Sequence, residues 1–197
     1  LLLGHYNKRP KSEIPASSPL HPFFLTGLGL KLRAHPLAIA MADEQLDHLD
    51  EWLALKNARA AAFSEMLSAL PAIILPNTAN RVPAWYAYVF QVDEAKSGGV
   101  TARQVHAALQ AEGLREADMP GSTGPIHKLP LFTRTPEVMG RLYREPCIAM
   151  DASFPGAERF ARQAIKYPVW AMEEDAATVD LYRDKTYAVL KSLLRRG

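Results

Sequence analysis

Cysteine is nearly absent: Cys147 stands alone among 197 residues. One thiol excludes an internal disulfide and a thiolate zinc cage, and points to a reducing compartment, the cytoplasm. Its expected state is that of a small buried hydrophobe, not a nucleophile. Long apolar runs are absent too; no stretch approaches the roughly 18 to 20 residues that cross a bilayer. The opening Leu1-Leu2-Leu3 passes at once into Gly4-His5-Tyr6-Asn7-Lys8-Arg9, unlike a signal peptide, so a soluble protein is expected. An excess of one charge is missing as well. With 23 Lys+Arg against 21 Asp+Glu the net charge is +2, which excludes the basic footprint of a dedicated nucleic-acid binder. An initiating methionine is also missing, and the three leading leucines read as the last turn of a helix begun elsewhere, the expectation being a fragment.

What is present suffices for a core. The chain is 48% apolar and 22% charged, which excludes wholesale disorder, and its length fits one domain or a small domain with an attached arm. Residues 4–36 hold five prolines (Pro10, Pro15, Pro19, Pro22, Pro36) without a helical or strand period, and read as an extended arm with Phe23-Phe24-Leu25 as a docking point. From Pro36 to Leu70 the pattern predicts one long helix. Pro36 suits a first helical turn, and Ala42, Leu46, Leu49, Leu53, Ala60, Phe63, Leu67 and Leu70 mark one face. Such a rod spans roughly 50 Å at 1.5 Å per residue, enough to bridge two bodies or pair with another helix.

Beyond Pro71 the order predicted is strand, helix, loop, helix, strand, helix. Residues 84–92 are aromatic and β-branched and read as a buried strand; Gly98-Gly99 is a turn. Thr101 and Gln104 have capping-box spacing for a helix that buries Val105, Ala108 and Leu109 and ends at Gly113. Residues 114–153 are expected to be irregular. A helix from Pro155 through Ala164 would turn Phe160 and Ala161 inward, and residues 165–170 form a short strand ended or edged by Pro168. Acids at Glu173-Glu174-Asp175 open the last helix and Lys191, Arg195 and Arg196 close it, with Val179, Tyr182, Thr186, Val189 and Leu193 as its inner stripe.

Chemistry is harder to find. Six histidines show no metal-ligand spacing, with His48 and His106 expected on exposed helix faces, and there is no nucleophile elbow, phosphate loop or dinucleotide fingerprint. On composition and spacing alone the chain is an α/β piece.

Longer segments carry a resemblance. Gly29-Leu30-Lys31-Leu32-Arg33-Ala34, followed by Glu44-Gln45-Leu46-Asp47-His48-Leu49-Asp50-Glu51-Trp52, resembles the Gly-x-(Asn or Lys)-x-Arg-Met and Gln-Leu-x-x-Leu-Asp-Glu signature of the DegT/DnrJ/EryC1/StrS aminotransferases. Trp85 to Phe90 is similar to that family's small-domain strand, and Pro125-Ile126-His127-Lys128-Leu129-Pro130 to its Pro-Leu-His-x-x-Pro loop. The resemblance implies an α/β chain that is the C-terminal part of an aspartate-aminotransferase-like fold: an arm (1–35), a long interdomain helix (36–70) and a small C-terminal domain with a short sheet (71–197). It implies a pyridoxal 5'-phosphate enzyme that aminates keto sugars or cyclitols. Yet none of the nine lysines stands in the Ser-Phe-x-x-x-Lys context of the family's Schiff-base residue. Without that lysine the cofactor has no covalent anchor, so the chain is expected to be inactive alone and to need an N-terminal half. The alternative is a non-catalytic partner or regulatory subunit that dimerises with a complete aminotransferase.

By the same resemblance Lys31 reaches the cofactor phosphate of a neighbouring subunit, or is a solvated lysine at the foot of a helix. Arg33 contacts a ligand or holds the turn, while Ala34 replaces the usual methionine. His127 contacts substrate or is a satisfied loop histidine. His21 matches loosely a segment that faces the partner's active site. Trp85 and Tyr86 belong to the core or wall a sugar pocket. No catalytic residue and no metal are assigned.

Overall fold

In a computed structural model of the chain, the residues described are 2, 8–25, 34–120, 124–140, 142, 145–149 and 151–194. They divide into two units, Leu1–Leu49 and Asp50–Gly197.

The first unit is less extended than its prolines suggest. A short helix, α1 (Lys8–Glu13), is closed by Arg9 Nε donating to Glu13 Oε1 at 2.7 Å, and a 3-10 turn covers His21–Phe23 with proline in its first turn. Both are too short to impose a hydrophobic period, so sequence periodicity could not disclose them. Helix α2 (Pro36–Asp47) starts as expected at Pro36, and His35 Nδ1 caps it by accepting from the Leu37 amide at 3.2 Å.

The single long rod is not observed. His48 (φ −101°, ψ 0°) closes a tight turn onto Gln45 O, and a second helix, α3 (Leu49–Leu67), begins beyond it with Asp50 and Glu51 in its first turn. Negative side chains favour a helix N-terminus there, which the apolar spacing alone does not show. The apolar face is also only half used. Ala60, Phe63, Leu67 and Leu70 are buried, whereas Ala42, Leu46 and Leu49 are exposed, as are Leu37, Ile39 and Met41.

The second unit is built on a three-stranded antiparallel sheet in the order β1 (Ile73–Ile74), β2 (Ala87–Val92), β3 (Ala164–Pro168). Strand β2 alternates cleanly, burying Tyr88, Phe90 and Val92, and pairs Phe90 with Ile165 and Tyr88 with Tyr167. Pro168 ends β3, where its missing N–H breaks no ladder bond. Strand β1 has two residues and escapes a pattern search.

Helix α4 (Ala102–Ala111) opens on the predicted capping box: the Gln104 amide donates to Thr101 Oγ1 and the Thr101 amide to Gln104 Oε1. Gly113, at φ +85°, lets the chain leave the helix in the left-handed region that other residues resist. Val105 and Leu109 are buried; Ala108 is only half-buried, and so is His106, whose Nε2 lies 3.1 Å from Ala117 O. Helix α8 (Ala176–Leu194) buries Val179, Tyr182, Thr186 and Leu190, with Val189 and Leu193 packing partly buried beside them. Aromatic rings fill the centre, Phe63 standing 5.5 Å from Tyr88 and 5.9 Å from Tyr167.

The stretch 114–153 is partly helical instead of irregular. It holds a 3-10 turn at Ile126–Lys128, then α5 (Pro130–Thr133) and α6 (Thr135–Met139), each helix opened by a proline. Helix α7 (Pro155–Gln163) follows directly on a proline start. Among the described residues no helix is long and apolar enough to cross a membrane.

Candidate functional site

An open cleft of about 610 Å³ lies wholly in the second unit, between the 3-10 turn at 126–128 and the first turns of α7. Its wall is apolar, including Pro120, Ile126, Ile148, Phe154 and Phe160. One polar side chain reaches that wall, His127, which is 6% exposed. The expected inward packing of Phe160 is corrected: its ring is 42% exposed and faces the cleft.

Local sequence places these groups. A 3-10 turn advances about three residues per turn, so His127 and Lys128 leave it in different directions, the imidazole buried and the ammonium exposed. Both nevertheless meet one carboxylate. His127 Nε2 lies 2.9 Å from Glu158 Oε1, and Lys128 Nζ lies 3.4 Å from the same oxygen. The Phe154 amide, at the start of α7, donates to it at 3.4 Å. These donors, the imidazole first, hold the Glu158 carboxyl below the usual carboxylate range. An ionised carboxylate only accepts, so the imidazole donates to it from Nε2. The Phe154 ring lies 4.7 Å from the imidazole. Buried Thr135 ties the far wall: its Oγ1 donates to Leu131 O at 2.8 Å and accepts from the Cys147 amide at 3.2 Å, setting Ile148 on the cleft.

Of the candidate site residues named from sequence, His127 is the one that lines this cleft among the described residues. Tyr86 stands 91% exposed with Lys166 Nζ 5.8 Å from its ring centroid, which corrects its core reading; it does not line this cleft. Tyr86 precedes β2, which begins at Ala87, so the alternation that buries Tyr88 and Phe90 does not extend to it. Trp85 is half-buried against the core and donates from Nε1 to Asn57 Oδ1 at 3.0 Å. His21, in the first unit, has Nδ1 2.9 Å from Ile14 O and its ring 5.3 Å from Phe24. Lys31 and Arg33 lie outside the described residues, as do Arg195 and Arg196. Cys147 is exposed, contrary to expectation, because it sits on a surface turn held through its backbone. Sequence reading missed Glu158, whose only signal was a carboxylate in the first turns of a helix opened by Pro155.

The residues lining this cleft do not fit pyridoxal phosphate. No lysine lines the cleft, and no cation there could face a phosphate. Elsewhere Lys166 pairs with Asp118 at 3.1 Å, Lys185 donates to Glu112 O at 2.7 Å, and Lys96 pairs with Asp93 at 3.5 Å. Among the described residues no cluster of three His, Cys, Asp or Glu could hold a metal ion.

Comparison with known proteins places the fold. The E. coli GDP-4-keto-6-deoxy-D-mannose-3-dehydratase, solved with hydrated PLP, superposes with a TM-score of 0.60 at 20% identity, covering 85% of this chain and 38% of that one. DesV of S. venezuelae, solved with a ketimine intermediate, gives 0.54 at 24% identity over 75% of this chain and 35% of that one. A DegT DnrJ EryC1 StrS aminotransferase from Brucella abortus gives 0.59 at 18% identity over 93% and 40%. These likenesses establish a fold of the PLP-dependent aminotransferase type, and the chain spans about two fifths of the length of these structures. No curated protein sequence matches it. The model of the DegT/DnrJ/EryC1/StrS aminotransferase family matches residues 8–179, and to that family the chain belongs.

Proposed function

We propose that these residues act as the C-terminal half of a pyridoxal-phosphate-dependent aminotransferase for a keto sugar or cyclitol, and that the Schiff-base lysine comes from an N-terminal half. The observation that carries this reading is a family match over residues 8–179 in a chain that holds no Ser-Phe-x-x-x-Lys lysine. The described residues agree with it, since no lysine lines the cleft that holds His127. The cofactor supplies the electron sink for amino transfer. The part of this half is to wall the substrate and, through Lys31, to hold a phosphate as a compact cation. The name of the E. coli relative, a dehydratase of a GDP-linked keto-deoxymannose, favours a nucleotide-linked keto-deoxy sugar as substrate.

The exposed apolar side chains of α2, Leu37, Ile39, Met41 and Leu46, favour association with another subunit, the assembly in which this half would work. They serve equally a non-catalytic subunit that dimerises with a complete enzyme.

Complementation tests the proposal. The 197-residue chain is mixed with separately produced N-terminal halves of family enzymes that carry the lysine. Cofactor absorbance and amino transfer to keto-deoxy sugars are expected from the mixture and from neither part alone. If the chain by itself forms a borohydride-trappable adduct with pyridoxal phosphate on one of its own lysines, the reading fails.

A further inference from the structure

Away from the His127 cleft, a second pocket gathers side chains that the transferase reading leaves unused. It is an open hollow of about 360 Å³ beside the last turns of α8, within the size range of small-ligand sites, roughly 300 to 1,000 Å³. Leu70 and Ala72, both buried, and Leu194 give it an apolar side, while Lys96, Tyr187 and Lys191 give it a polar one. Among the described residues no carboxylate lines it. We propose that this pocket binds a small organic monoanion, a carboxylate on an apolar body, and that Lys191 is the residue that meets its charge.

Charge, donors and wall argue for this together. Lys96 Nζ lies 3.5 Å from Asp93, so one of the two ammoniums is already offset by a carboxylate. Lys191 has no carboxylate within ion-pair distance among the described residues. Its Nζ stands 5.2 Å from the Tyr187 ring centroid, a contact that steadies the ammonium without neutralising it. Two cations against one anion leave a single positive charge, the complement of a monoanion and not of a dianion. The Tyr187 hydroxyl makes no hydrogen bond among the described residues and is a further donor for a carboxylate oxygen. Hydrocarbon from Leu70, Ala72 and Leu194 suits an apolar body, whereas a bare inorganic ion would leave that side uncovered. A cation in the last turn of α8 also meets the partial negative charge of the helix end. That role alone gives the pocket no ligand preference, and the experiment separates the two. The inference needs neither cofactor nor partner, so failed complementation would leave it intact.

The test uses the full chain, labelled with 13C at its methyl groups, and three probes at low ionic strength: benzoate, the neutral benzyl alcohol and inorganic phosphate. Shifts at the Leu70, Ala72 and Leu194 methyls should report benzoate binding roughly three- to tenfold tighter than benzyl alcohol, the worth of one solvent-exposed charge pair. Phosphate should be the weakest of the three. Added salt should shrink the difference between benzoate and the alcohol. In Lys191→Gln most of the benzoate preference should vanish while the alcohol binds as before, and Lys191→Arg should restore it. Lys11→Gln, the same change of net charge on α1, should alter neither. A lysine that serves only the helix end would lower the unfolding midpoint in Lys191→Gln and leave the ratio of the two probes unchanged. Should the glutamine variant not fold, the probe ratios of the unsubstituted chain and of Lys191→Arg decide. Equal binding of benzoate and benzyl alcohol, phosphate binding as tightly as benzoate, an unchanged ratio in Lys191→Gln, or no shift at the three methyls up to the solubility limit of benzoate would each overturn the proposal.

Discussion

At the scale of single residues, the molecule sorts its polar groups by what they can reach. Tyr167 and Thr186 meet inside the core at 2.8 Å, and burial pushes the Tyr167 phenol well up, as it pushes Tyr88, bonded to Ser64 at 2.9 Å, up to about 12. Tyr167→Phe leaves the fully buried Thr186 hydroxyl without that partner and is expected to lower stability by about 1 to 3 kcal/mol, measured by urea unfolding. The Glu158 carboxyl behaves in the opposite direction. Its folded value lies below its unfolded one, so its contribution is fully present above the ordinary carboxylate range and disappears as pH falls through the lowered value. In an acid titration followed by NMR, the Phe154 amide and the His127 ring should shift together, at a pH below that of unpaired glutamates.

At the scale of elements, one apolar pattern has two fates. Residues 36–70 look uniform in sequence, but only the stretch from Ala60 onward packs against the core, and His48 divides the helix. Phe63→Ala, which empties the space beside Tyr88 and Tyr167, should cost about 3 to 5 kcal/mol. Leu46→Ala, at a position of the same pattern but exposed, should fall within about 0.5 kcal/mol. Thermal or urea unfolding of the two variants makes the comparison. Elements with strong local signals were legible at this scale: the capping box of α4, the left-handed Gly113, the alternation of β2. The helices α1, α5 and α6 and the two-residue β1 were not, because each is shorter than the window in which a period can be counted.

At the scale of the whole molecule, a chain that spans about two fifths of its solved relatives keeps a well-packed second unit and a cleft of its own. A cofactor phosphate would have to be met elsewhere, and Lys31 is the residue to test for it. In an assembled complex, Lys31→Ala should weaken pyridoxal-phosphate affinity roughly ten- to hundredfold, as loss of a charge-assisted hydrogen bond does. Its unfolding midpoint should stay unchanged. Unaltered cofactor affinity in an intact complex would instead assign the chain a scaffolding role.

The sequence by itself determined the family, the order of the main elements and the lack of a lysine in the anchoring context, because each is written in neighbouring residues and short spacings. It also pointed to His127, through the loop that carries it. Tertiary structure alone decided that Tyr86 faces solvent, that the apolar side chains of α2 are left exposed, and that His127 and Glu158, 31 residues apart, meet at 2.9 Å. Those outcomes depend on which distant surfaces meet, and no local pattern encodes that meeting.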